Sequence, residues 1–153
     1  MQFTKIAVVA LLSGLGLAAP SESLSNLSKR ARESVHLANC QSYFAIDYYA
    51  DDTKDNVFPG NNNECVSSGG FHEGSSASCK FGSGVTFSYF LSSNAHSASQ
   101  GTQVGTGNNG FHNFSCFRDD NHALYTDGNG NACQSTYVCF DESSNMGKEE
   151  RLF

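Results

Sequence analysis

The chain has 153 residues, six cysteines, fifteen glycines and a formal net charge of −6. That length fits one domain. The acidic balance repels phosphate backbones and anionic lipids, which disfavours sequence-independent nucleic-acid and membrane binding, while an RNA-cleaving site stays compatible because local charge can differ from net charge.

The N-terminus reads as a processing region. Lys5 precedes an apolar run, Ile6 to Leu12, that continues through Leu15, Leu17, Ala18 and Ala19 to Pro20. This is the order of a secretory signal peptide, too short and Gly-interrupted to span a bilayer, so residues 1–19 are expected to be removed. Ser21 to Ser28 is polar and leads into Leu27-Ser28-Lys29-Arg30. That run resembles the dibasic site cut by kexin-type proteases in fungal secreted proteins, which makes residues 20–30 a propeptide. Removing Lys5, Glu22, Lys29 and Arg30 leaves six basic and 14 acidic residues in 31–153, a balance of −8.

Beyond Arg30, period-two alternation dominates and helical spacing is scarce. Val35 and Leu37 alternate before Cys40. Phe44, Ile46 and Tyr48 define one strand face, and Tyr43, Ala45 and Tyr49 the other. Val85, Phe87, Tyr89 and Leu91 form the cleanest alternation. Phe111 to Phe117 places His112, Phe114 and Cys116 together, and Ala123 and Tyr125 mark a short strand. In the last strand Tyr137 and Cys139 share one face, Val138 and Phe140 the other. Turn chemistry separates these runs at Asp51 to Asn56, Pro59-Gly60-Asn61, Gly69-Gly70, Asn108-Asn109-Gly110 and Asp127-Gly128-Asn129-Gly130, the last reading as a hairpin. The pattern predicts an all-β domain, an antiparallel β-sandwich or barrel open to Greek-key connections, with a loose polar tail from Glu142 to Phe153. A Gly-Phe-His triplet recurs at Gly70 and at Gly110, each followed by a cysteine and an aromatic, which suits two duplicated keys.

Cys40, Cys65, Cys79, Cys116, Cys133 and Cys139 all follow the dibasic site. An even count in a secreted chain reads as three disulfides, and six cysteines allow about 15 pairings among which spacing does not choose. No close cysteine pair suggests thiol-bound zinc. Asn113-Phe114-Ser115 is an N-glycosylation sequon, usable if Asn113 points outward. Asp127 to Asn131 has the alternating oxygens of a calcium loop, but Val138 stands where an EF-hand needs a bidentate Glu. No metal and no cofactor are expected.

The enzymatic alternative rests on His72, Glu73, His112 and Arg118. A histidine, a carboxylate and a guanidinium are the ingredients of phosphodiester cleavage: base, acid and a cation for the phosphorane. The Gly-, Ser-, Asn- and Tyr-rich acidic composition is similar to the fungal ribonucleases of the T1 family, which work with Tyr, Glu, Arg and His from a sheet face. Their Tyr-Glu strand segment has no carboxylate counterpart at Phe87 to Phe90, and adjacent residues such as His72 and Glu73 point to opposite faces if extended.

With signal, dibasic site, six cysteines and β pattern together, the chain resembles the small secreted cysteine-rich proteins of filamentous ascomycetes. Val35 to Cys40, Val104 to Phe114 and Tyr137-Val138-Cys139 carry that resemblance. Members of this type are often effectors delivered to a host to dampen immunity or provoke cell death. The Cys65 to Cys79 spacing and the repeated triplet are similar to the Alt a 1 family and to βγ-crystallin-like killer toxins respectively. The resemblance implies an architecture and a role class; with secretion, dibasic processing, six cysteines and no convincing catalytic set, the expectation is an extracellular, monomeric, non-enzymatic binding protein of the host apoplast whose partner is a host protein or glycan. Loops Asp51 to Asn63 and Gly101 to Asn109 are the expected contacts. The alternative is a secreted ribonuclease or killer-toxin-like protein.

Overall fold

The computed structural model describes residues 32–67 and 69–143; the expected signal peptide, the Lys29-Arg30 site and most of the C-terminal tail lie outside them. Nine strands follow in order: β1 (Ser34–Asn39), β2 (Phe44–Tyr49), β3 (Glu64–Ser67), β4 (Ser76–Lys80), β5 (Thr86–Leu91), β6 (Gln103–Asn108), β7 (Asn113–Arg118), β8 (Ala123–Thr126) and β9 (Ala132–Asp141). Helical structure among the described residues is confined to 3₁₀ turns at Asp52–Lys54 and Ala95–Ser97. No helix among them is long and apolar enough to cross a membrane.

Every pairing is antiparallel, and the strand order is β3-β2-β1-β9-β7-β6-β5-β4, with β8 against the start of β9. Two meanders, β1 to β3 and β4 to β7, are therefore joined side by side by the last strand. The all-β expectation holds, as an antiparallel sheet nearly closed into a barrel. The remaining seam lies between edge strands β3 and β4, where unpaired backbone groups would invite pairing with another chain. The Cys65–Cys79 disulfide crosses it with Cα atoms 6.1 Å apart. Just beyond, Ser83 N–H donates to the Asn62 carbonyl at 2.9 Å. Gly82 permits this approach, since a Cβ there would stand 2.3 Å from the Asn61 oxygen.

The barrel interior follows from alternation. On β5 Phe87, Tyr89 and Leu91 are buried while Thr86, Ser88 and Phe90 face solvent. They meet Val35, Leu37, Ile46, Phe114 and Tyr137 in one core. Phe87 packs edge-on to Phe114 at 5.4 Å, and Phe71 to Tyr137 at 5.6 Å, a favoured aromatic geometry. The Cys116–Cys139 bridge joins β7 to β9 inside this core, and Cys40–Cys133 ties the end of β1 to the start of β9. No described cysteine is free.

Three strands escape the sequence pattern. The segment Gly101 to Asn109, expected as a contact loop, is largely strand β6. Its glycines serve packing: a Cβ at Gly107 would lie 2.4 Å from the Phe87 ring, and one at Gly105 2.0 Å from the Phe90 oxygen. β3 is short, and β4 is Ser- and Ala-rich with little apolar signal. The two Gly-Phe-His triplets occupy different environments. Phe71 is buried against Phe44, whereas Phe111 is 77% exposed at the β6–β7 turn.

β1 is buried on both faces, because a second, smaller layer covers its outer side. That layer holds Leu124 and Tyr125 of β8 against Ala38, Ala45 and the Cys40–Cys133 bridge. The 51–63 connection folds back over the same face, with Tyr49 donating to the Val57 carbonyl at 2.9 Å and Phe58 packing on Tyr125 at 5.3 Å.

Opening the seam tests the closure. The Cys65→Ser/Cys79→Ser variant closes no loop across its 14-residue separation, and is expected to lose about 3 kcal/mol in urea unfolding while keeping its β-sheet circular dichroism.

Candidate functional site

The covered outer face of β1 is unusually polar. Ser34 and His36 point into it from β1, Asp47 from β2 and Ser135 from β9; all four are essentially inaccessible. Ser135 reaches this face through a register change. Leu37 pairs with Tyr137, but Ala38 pairs with Ser135, so Thr136 is an extra residue in β9. The bulge reverses the side-chain phase, keeping Tyr137 in the barrel while turning Ser135 outward.

His36 is the centre of this pocket. Its Nδ1 lies 2.8 Å from Ser135 Oγ, and Ser135 donates its one hydroxyl hydrogen to Asp119 Oδ2 at 2.5 Å. The imidazole must therefore supply the hydrogen on Nδ1. Nε2 then faces Asp52 Oδ1 at 3.3 Å and Asp55 Oδ2 at 3.8 Å, both from the turn that closes over β1. His122, in the β7–β8 link, stands edge-on to His36 at 5.8 Å. Its Nε2 lies 3.1 Å from the same Asp55 oxygen and its Nδ1 2.7 Å from Asp120 Oδ1. The link is fixed by backbone bonds from Asn121 N to Ser135 O and from Ser135 N to His122 O, each 3.0 Å.

The electrostatics follow from this crowding. Burial disfavours the charged form of His122, but its bonds to Asp120 and Asp55 and the Asp119 charge outweigh that, raising it above the ordinary imidazole value. Burial likewise works to raise Asp52, yet the hydrogen bond and charge of His36 hold it below the usual carboxylate range. Side-chain exposure grades from 2% at His36 through 24% at Asp55 and 28% at Asp52 to 36% at His122, so the pocket has one open side. Asp52, His36 and Ser135 have the members of a nucleophilic triad but cannot act as one. Ser135 is fully buried and its proton is committed to Asp119.

A second buried acid sits nearby. Asp47 is fully buried, accepts from the Tyr125 hydroxyl at 3.0 Å, and has one oxygen without a hydrogen-bond partner. Burial, reinforced by the Glu64 charge, pushes its carboxyl up to about 8 against the pull of Tyr125.

The residues expected from sequence are scattered. His72 occupies an exposed turn with φ +50°, its ring over Gly69. Glu73 accepts from the Tyr137 hydroxyl, and Arg118 lies 5.7 Å from the Tyr137 ring while donating to the Asp119 and Thr136 carbonyls at 2.7 and 2.6 Å. His112 pairs through Nδ1 with Glu33 at 3.2 Å and Asp141 at 3.4 Å. The fold thus brings Glu73 and Arg118 to one tyrosine but does not gather the four-residue set. Asp127 spends its oxygens on the hairpin, accepting from Asn129 N, Asn131 N and Asn131 Nδ2, each at 2.8 Å. Asn113 is exposed and accepts from Asn108 Nδ2 at 2.7 Å. His36, His122 and the aspartates around them were missed; the available signals were a histidine inside an apolar strand, Asp52-x-x-Asp55, and Asp119-Asp120-Asn121-His122.

The most exposed large apolar side chain named among the described residues is Phe111. It sits on a turn locked by asparagines. Asn108 Oδ1 accepts from Gly110 N at 2.6 Å, and Asn109 Oδ1 from Phe111 N at 2.9 Å and His112 N at 2.7 Å. Beside the turn a shallow groove is lined by Ser88, Phe90, Thr106, Asn108 and Asn113. Comparison with known proteins finds no matching family model, no matching curated protein and no matching solved structure.

The Asp47 carboxyl makes stability pH-dependent. Its native value is raised above the unfolded one of about 4, so the native state holds an extra proton between those limits and loses stability as pH rises toward about 8. Relative to wild type, Asp47→Asn is expected to gain stability steadily from pH 4 to pH 8 in urea melts, with the smallest difference at the acid end.

Proposed function

We propose that this chain is a secreted, effector-type binding protein that acts at a host interface, modulating immunity or cell death by occupying a host protein or glycan. The reading draws its extracellular setting from the N-terminal pattern and from three disulfides, which persist in oxidising compartments. Glycosylation at Asn113 belongs to the same proposal, since that side chain faces solvent.

The observation that carries it is the β6–β7 turn. Phe111 is 77% exposed, yet the turn that carries it is held by three side-chain acceptor bonds, to the N–H groups of Gly110, Phe111 and His112. An aromatic left in water costs free energy that a partner recovers, and a pre-ordered turn loses little conformational entropy on binding. The adjoining groove supplies hydroxyls and amides around Phe90, which is the chemistry for stacking and hydrogen-bonding to a sugar ring or an extended peptide. The second contact region is the 51–63 connection, whose Val57 and Phe58 are 56% and 43% exposed.

The test delivers the oxidised protein, residues 31–153, to leaf tissue and reads the elicitor-triggered oxidative burst and cell death. Wild type is expected to alter at least one response, and Phe111→Ala to need about tenfold or more protein for the same effect. An unchanged response across several plant species sinks the host-interface reading. Equal potency of Phe111→Ala moves the contact away from the turn.

A further inference from the structure

We propose that a glycan carried by Asn113 folds back over the Phe111 ring and the groove beside it, so that glycosylation decides whether this contact surface is covered or open. The inference rests on the reading of the β6–β7 turn as a host contact and names what regulates it.

Spacing is the first argument. Asn113-Phe114-Ser115 is the one Asn-x-Ser/Thr triplet after the dibasic site, and Phe111 precedes it by two positions. Cα atoms two residues apart are separated by at most about 7 Å. His112, between them, turns aside to Glu33 and Asp141 at 3.2 and 3.4 Å, while Phe111 and Asn113 are both exposed. A sugar ring bonded to Asn113 therefore starts within reach of the Phe111 ring.

The second argument is how the Asn113 amide is held. Asn108 Nδ2 donates to Asn113 Oδ1 at 2.7 Å, and Asn108 Oδ1 accepts from Gly110 N at 2.6 Å. One side chain thus ties the acceptor half of the Asn113 amide to the turn that carries Phe111. Asn113 Nδ2, the atom that takes the sugar, donates to no group among the described residues. In the modification Nδ2 gives up one proton and bonds the anomeric carbon of N-acetylglucosamine. That carbon's bond to a lipid pyrophosphate donor breaks, and the pyrophosphate leaves as the anion. Oδ1 is untouched, so its bond to Asn108 persists and fixes the root of the glycan beside the turn.

The energetics favour contact. A pyranose presents C–H groups on its apolar face, and the negative face of an aromatic ring attracts them, with dispersion adding to the pull. The sugar is already tethered, and a short tether gives an effective concentration in the millimolar range, so weak stacking suffices. Asn113 also lines the groove itself, together with Phe90, Thr106 and Asn108. Asn108 faces Asn113 across β6–β7 and Ser88 across β5–β6. The glycan is therefore rooted at one side of the groove and overlies its hydroxyls and amides. A partner approaching the turn then meets sugar in place of Phe111.

The test compares two forms of the disulfide-intact chain, one secreted by yeast from the full precursor and one made without glycan in a bacterial periplasm. Peptide mass mapping is expected to find the glycan on Asn113 in the first. NMR of that form is expected to show first-sugar protons shifted upfield by the Phe111 ring, with cross-peaks to it. Phe111→Ala should return them to the positions of a free glycan; the turn survives, because its bonds go to backbone N–H groups. The glycosylated form should melt about 2–4 °C above the bare one, and Phe111→Ala should close that gap. In the leaf assay the glycosylated form should need about tenfold or more protein than the bare form. An unmodified Asn113, sugar protons without ring contacts, or a melting gap unchanged by Phe111→Ala each overturns the covering, and equal potency of two active forms overturns the masking. Ring contacts present while neither form acts on leaf tissue uphold the covering and sink the host-interface reading instead.

Discussion

β9 is the constraint on which the rest of the molecule depends. It pairs with β1 along one edge and with β7 and β8 in succession along the other, so among the described strands it alone joins the two meanders by strand pairing. Two of the three disulfides end on it, at Cys133 and Cys139. A chain with this much glycine and so few helix signals gains little from local structure. Its stability must come from long-range pairing, and that pairing costs loop-closure entropy which the bridges reduce in the unfolded state.

The extra residue at Thr136 links this framework to the site. A regular β9 would point Ser135 into the barrel with Tyr137. The bulge instead lets one strand serve two interiors: an apolar one filled by Tyr137 and Cys139, and a polar one holding Ser135 beneath His36. Buried polar groups are costly unless satisfied, and the pocket satisfies Ser135 and the His36 Nδ1 by chaining Asp119 to Ser135 to His36. Asp47 shows the cost of incomplete satisfaction, since burial with one oxygen unpaired, beside the Glu64 charge, pushes its carboxyl up to about 8.

Much of the architecture was legible. Alternation in Phe87, Tyr89 and Leu91, the hairpin at Asp127 to Gly130 and the shared face of Tyr137 and Cys139 all stand as read. β6 was not legible, because Gly105 and Gly107 look like turn residues until the Phe90 carbonyl and the Phe87 ring that crowd them are known. The disulfide pairing needed the strand order. The pocket was hidden for a related reason: His36 and Ser135 are 99 positions apart, and a bulge that spacing cannot foresee brings them together. The histidines that did attract notice, His72 and His112, sit in a turn and in a surface ion pair.

The account depends most on two meanders meeting at β9 and closing at the β3–β4 seam. Peptide mapping of the unreduced protein tests this directly. It should recover Cys40 with Cys133, Cys65 with Cys79, and Cys116 with Cys139, and no other linkage. A bridge between Cys133 and Cys139, or between either seam cysteine and β9, would contradict the strand order and with it the pocket built on that strand.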